Sequence, residues 1–124
     1  RASDIELFVA RRYLDQATRA ALDKIMESKG KIADVDRKII AVDSEASEIG
    51  KDQARLRENI KALNESASAK QLIARYITKA GEQETRLEQI VMERKTLAAQ
   101  RDQLQQELNT AIRALAFDRK LEEP

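Results

Sequence analysis

The 124 residues contain no cysteine, no histidine and no tryptophan, only three glycines, and one proline that is also the last residue. Each absence removes a class of function. Without cysteine there is no disulfide framework and no thiolate nucleophile, and the compartment cannot be read from thiol usage. Lacking histidine as well, the chain has neither of the residues that dominate zinc, haem and iron–sulfur ligation, and no such site is expected. The commonest general base at neutral pH is missing too. Three isolated glycines build neither a G-x-G-x-x-G turn nor a Walker loop. Charges recur so often that no stretch longer than five residues lacks one, as at 96–100, so no membrane span is expected. No cofactor, metal, small-molecule substrate or enzymatic activity is therefore expected. Localisation cannot be read.

What is present is charge and aliphatic bulk. Lys plus Arg number 23 and Asp plus Glu 22, a net +1 with the signs interspersed. Such a chain has no global field to steer it onto nucleic acid, and reads as a solvated, ion-pair-laced helical surface. It opens Arg1-Ala2-Ser3-Asp4 and is expected to be a fragment of a longer protein.

Apolar residues recur at alternating steps of three and four. With Ile25 as heptad position a, the a series is Ile25, Ile32, Ile39, Ala46, Gln53 and Ile60, and the d series Ser28, Val35, Val42, Ile49, Leu56 and Leu63. Ten of these twelve positions are apolar over about six heptads, which predicts a coiled-coil helix. Ser3 and Glu6 form a capping-box pattern at its start. A break follows at 64–68, where Asn64 suits a helix stop and Ser68 with Gln71 repeats the capping pattern. The second helix carries Ile73, Ala80, Leu87, Arg94, Arg101, Leu108 and Leu115 at a. Its d residues are Tyr76, Gln83, Ile90, Leu97, Leu104 and Ala111. The expected boundaries are helix one at about 4–63, turn 64–68, helix two at about 69–117 and a polar, fraying tail at 118–124.

So short a turn makes the helices antiparallel. The fold class expected is all-α, a long antiparallel two-helix coiled-coil hairpin. One register stands out. It sets Leu63 against Ile73, Ile60 against Tyr76, Leu56 against Ala80, Ile49 against Leu87 and Ile39 against Leu97. It also sets Gln53 against Gln83, the only glutamine of each seam. A heptad slip buries both amides against apolar partners at about 1–3 kcal/mol each. The same register places Arg94 and Arg101 over Val42 and Val35, with Asp43 and Asp36 beside them as carboxylate partners. Flanking pairs Asp52–Arg86 and Lys31–Glu107 come out opposite in charge, whereas Glu45–Glu93 comes out like-charged.

Helix one, at about 60 residues, is roughly 90 Å long and helix two roughly 73 Å. About fourteen N-terminal residues are thus left without a partner, among them Ile5, Leu7, Phe8, Val9, Tyr13 and Leu14. Leu7, Phe8, Tyr13 and Phe117 mark this end as a candidate dimer or domain contact. Ile77, Val91, Ala98 and Ile112 widen the apolar stripe of helix two at e, more than a two-helix seam needs. A homodimer forming a four-helix assembly is expected, the missing N-terminal domain being the other candidate occupant.

Carboxylates at Asp34, Asp36, Asp43, Glu45 and Glu48 diverge around one helix and read as a solvated face, not a cation site. Gly50 and Gly81 fall at nearly facing heights and read as local softening, with a hinge as the functional alternative. Lys51, Arg55, Arg57, Lys61, Lys70, Arg75 and Lys79 crowd the turn end, but acidic residues dilute them and Tyr76 falls in the seam. Nucleic acid is accordingly not the expected partner.

The run from Asp52 to Leu63, D-Q-A-R-L-R-E-N-I-K-A-L, resembles a segment of uncharacterised bacterial proteins similar to the mucoidy-inhibitor-like group. Arg75-Tyr76 and Gln83-Glu84-Thr85-Arg86-Leu87-Glu88 are similar to the companion segment, with Thr85 standing where an acidic residue belongs. The resemblance covers most of the chain. It implies a bacterial source, a β-rich N-terminal part absent here and a C-terminal helical hairpin, and it brings no catalytic residues. The expected role is a non-enzymatic structural or assembly module of a larger bacterial protein, mediating oligomerisation or acting as a spacer. The alternative is an interaction arm whose tip, residues 61–75, binds a protein or RNA partner.

Overall fold

A computed structural model describes residues 2–63 and 66–122, with the side chains of Leu14, Asp118, Arg119, Leu121 and Glu122 outside that description. The protein is an all-α helical hairpin of two elements, α1 (Ala2–Ala62) and α2 (Ala67–Glu122). They run 61 and 56 residues, and no described residue forms a strand. No proline interrupts either helix. Gly30, Gly50 and Gly81 keep negative φ and pass within the helices.

The helix ends depart from the sequence expectation in three places. α1 already includes Ser3, so this serine lies inside the first turn rather than at the cap. α2 opens two residues early because Ser66, not Ser68, caps it. The Ala69 amide donates to Ser66 Oγ at 3.1 Å, and the Lys70 amide to the Ser66 carbonyl at 2.9 Å. This satisfies the third amide of the helix, one of those that lack a partner within a first turn. α2 also runs on to Glu122, where a fraying tail is expected from residue 118. Good helix formers with no Gly or Pro before residue 124 give the helix no reason to stop. α1 closes with a tight bond from the Leu63 amide to the Ile60 carbonyl, 3.2 Å. Asn64, read as the helix stop, lies outside the described residues.

The chain packs as two compact units. In the unit made of Arg1–Asp36 and Ala99–Pro124, Ile25, Ile32 and Leu108 form a buried cluster. Leu104, Ala111 and Leu115 pack against it. Val35 and the hydroxyl-bearing Ser28 are buried as well. Residues 2–13 of this unit are exposed at every position, and among the described side chains Ala17 is the first half-buried one. In the unit Arg37–Ala98, Leu56 is almost wholly enclosed, and Ile90 and Ala69 are buried. Here the seam is thinner, with Ile39, Val42, Ile49, Ile60, Ile73 and Leu87 half-buried.

Candidate interaction surfaces

Polar chemistry is densest in the unit Arg37–Ala98, where the a and d stripes carry Gln53 and Gln83 between apolar neighbours. The two amides do not donate to each other. Gln53 Nε2 donates to Glu84 Oε1 at 2.8 Å, and Gln83 Nε2 to Asp52 Oδ2 at 2.6 Å. A carboxylate is the stronger acceptor, and each helix offers one next to its glutamine, so the charge-assisted bond displaces the amide pair expected from the register. Gln83 Oε1 is left buried without a hydrogen-bond partner. Asp52 is the hub of this layer. It also accepts from Arg55 Nε at 2.9 Å and faces Lys79 Nζ at 3.3 Å. The hydrogen bonds from Arg55 and Gln83, helped by Lys79, hold its carboxyl below the ordinary aspartate value against the opposing effect of desolvation.

Ion pairs run along the adjacent edge from g position to g position. Arg86 Nε and Nη2 each reach Glu45 Oε2 at 2.8 Å, while Nη1 reaches Glu93 Oε1 at 2.9 Å. The expected Asp52–Arg86 pair is thereby displaced by one heptad. The offset has an electrostatic reason: Arg86 bridges the like-charged Glu45 and Glu93, which would otherwise repel. These two carboxylates raise the Arg86 pKa above the usual guanidinium value.

Arg94 and Arg101 meet carboxylates of the opposite helix, each within its own unit. Arg94 Nε donates to Asp43 Oδ1 at 2.9 Å, both side chains being about half exposed. In the other unit Arg101 Nε donates to Asp36 Oδ1 at 2.5 Å, and this bond with the attraction of Asp36 raises the guanidinium pKa. Lys31 pairs with Glu27 one turn away at 3.1 Å rather than reaching the expected Glu107. The i,i+4 partner on its own helix needs no bridging across the groove.

Four of the seven tip basics meet a carboxylate. Lys51 pairs with Glu48, Arg55 with Asp52, Lys61 with Glu58 and Lys79 with Asp52. Tyr76 is half-buried in the seam.

Apolar exposure is the other feature. Leu7, Phe8, Tyr13 and Phe117 are all exposed, with Ile5 and Val9 beside them. Ile5, Phe8 and Val9 follow i, i+3, i+4 and so share one helix face. The heptad reading misses the order of charge around them, with Asp4 and Glu6 ahead of Phe8 and Arg11 and Arg12 behind it. A scan of signed charge along the segment reveals it. Of the e stripe of α2, Ile77, Val91 and Ile112 are exposed and Ala98 is half-buried. Met26 and Ile40, two heptads apart at b positions of α1, are exposed as well. The unit holding the N-terminal segment also has an open groove of about 1000 Å³ past Ala21, Lys24, Ala99, Thr110 and Ala114.

Among the described residues no helix is long and apolar enough to cross a membrane, and no group of three or more acidic side chains is placed to hold a metal ion. Comparison with family models, curated proteins and solved structures yields no match.

Proposed function

We propose that this chain is a structural module, a coiled-coil hairpin through which a larger bacterial protein assembles with further copies of itself. The observation carrying this reading is an excess of apolar surface over what the hairpin uses. The a and d stripes already provide a seam between α1 and α2. Yet Phe8, Tyr13, Met26, Ile40, Ile77, Val91 and Phe117 remain more than half exposed. Scattered exposed aliphatics are ordinary, but rows with helical spacing mark helix–helix contacts. No nucleophile–base pair converges in the described residues, and the ionisable groups with displaced pKa values sit in ion-pair networks of the hairpin itself.

Sedimentation equilibrium of the chain tests the proposal. Self-association at ~100 µM, deepening with concentration, is the expected result. A strict monomer at that concentration overturns it, and leaves the spacer or tip-binding role as the alternative.

A further inference from the structure

The exposed start of α1 allows a more specific statement than self-association in general. At 100° per residue, Ile5, Phe8, Val9 and Arg12 fall within an arc of about 100° on one side of the helix. Leu7 points to the other side, along the line of the a and d seam. Phe8 and Val9 form its two edges, Ile5 and Arg12 lie near its mid-line, and all four residues are exposed. Charge is ordered along the segment, on the borders of this arc as well as on it. Asp4 and Glu6 precede Phe8, while Arg11 and Arg12 follow Val9.

An acidic half followed by a basic half is complementary to its own reverse. We propose that this face is a self-association surface on which residues 4–13 of a second copy dock antiparallel, the two-fold axis passing between Phe8 and Val9. The proposal rests on the assembly reading and supplies its surface, direction and register. In an antiparallel pair each flank meets the same flank of the other helix, and two-fold symmetry repeats every contact. Phe8 then faces the second copy's Phe8, and Val9 its Val9. Ile5 falls opposite Arg12, whose aliphatic stem can cover it while the guanidinium reaches water. On one border Asp4 falls opposite Arg11. On the other, Glu6 falls opposite Tyr13, within reach of its hydroxyl.

Neighbouring registers fail. Sliding one heptad one way sets Asp4 against Asp4, Glu6 against Glu6, and moves Phe8 off the axis. Sliding the other way sets Arg11 against Arg11 and Arg12 against Arg12, with Phe8 against Asp15. A parallel pair brings like charges to the same height along the whole segment. Within residues 4–13 the register proposed is thus the one of these alignments without like-charge contacts, which act against wrong pairings. Asp15, on the border of Asp4 and Arg11, stands as far along the axis from the second copy's Asp4 as Arg11 does and dilutes this preference. An overlap this short makes a weak contact, read at ~100 µM rather than at nanomolar concentration.

Because the chain has no cysteine, directed crosslinking is clean. Val9→Cys and Gln16→Cys proteins are each incubated in a glutathione redox buffer, beside sedimentation of Phe8→Glu, Asp4→Arg and Asp4→Arg/Arg11→Asp. Val9→Cys should form a disulfide-linked dimer and Gln16→Cys should not, since this register holds the two copies of residue 16 roughly 21 Å apart along the helix axis. Phe8→Glu, which sets two carboxylates against each other on the axis, should weaken association more than about tenfold with helicity unchanged. Asp4→Arg should weaken it, and the charge swap should restore it. A dimer that survives Phe8→Glu, or that crosslinks at 16 and not at 9, overturns this surface while leaving the assembly reading standing. A monomeric wild-type chain overturns both.

Discussion

Arg101 holds Asp36 with Nε on Oδ1 at 2.5 Å and Nη2 on Oδ2 at 3.5 Å, whereas Arg94 touches Asp43 through one bond of 2.9 Å. The two pairs repeat one heptad apart, so their difference isolates geometry from chemistry. Two-point contact fixes the guanidinium better than one. In double-mutant cycles to alanine the Asp36/Arg101 coupling should exceed the Asp43/Arg94 coupling. Both should shrink in ~1 M salt, because all four side chains keep roughly two-fifths or more of their exposure. Equal couplings, or a larger one at Arg94, would show that the second bond contributes nothing.

Ser66 and Ser68 carry the same side chain two residues apart, and Ser66 Oγ is the one that accepts the Ala69 amide. Ser66→Ala should therefore cost about 1 kcal/mol, the usual loss of an N-cap, while Ser68→Ala should stay within about 0.5 kcal/mol of wild type. Urea unfolding of the two variants gives the comparison. A larger loss at Ser68 would return the cap to the capping-box pattern.

The seam is legible from spacing alone. Of the a and d positions between Ile25 and Leu115, only Arg94 is exposed. This follows because burial in a helix pair is decided by the angle of each Cβ, and period seven reports that angle directly. The partners of Gln53 and Gln83 are not legible. A heptad letter places the amides near each other but says nothing of Asp52 and Glu84, which compete one residue away and win as charged acceptors. The end of α2 is misread for a related reason: polarity alone marks 118–122 as tail, although its residues favour helix. The charge order of residues 4–12 escapes a heptad reading because the letters record hydrophobicity and not sign.

Gln83 Oε1 is a buried polar atom without a partner, enclosed among half-buried seam residues. Replacing Gln83 with Leu removes that orphan acceptor and extends the apolar stripe, at the loss of one bond to Asp52, which keeps Arg55 and Lys79. The net effect should be stabilising by about 1 kcal/mol in denaturant titration. Gln53→Leu forfeits a bond to the exposed Glu84 and should be nearly neutral. A loss of stability in Gln83→Leu would mean that the carbonyl is satisfied in solution, as by a bound water.

Gly81 lies in the interior of α2 with negative φ and no atom within 4 Å of a would-be Cβ. Its backbone freedom is therefore an entropic cost without a packing reason. Gly81→Ala should raise stability by about 0.5–1 kcal/mol, seen as an increased thermal midpoint. Were the residue a working hinge, the same substitution would leave stability near that of wild type and alter partner binding instead.

Asp52 connects the polar layer to pH. Its carboxyl is held below the ordinary aspartate value, first by the hydrogen bond from Arg55 and then by that from Gln83. A folded-state pKa lower than the unfolded one means that the unfolded chain binds the proton more readily. The stabilisation is thus fully present above an unfolded pKa of about 3.9 and is lost as pH falls through the folded value. Wild type and Asp52→Asn should differ most in urea midpoint near neutral pH, with wild type the more stable, and converge as pH drops below about 4. Other carboxylates titrate over the same range in both proteins, so the difference between the two curves carries the test. A gap that stays constant from neutral pH down to about 2 would exclude the Asp52 charge as its source and assign the loss to altered packing around Gln83.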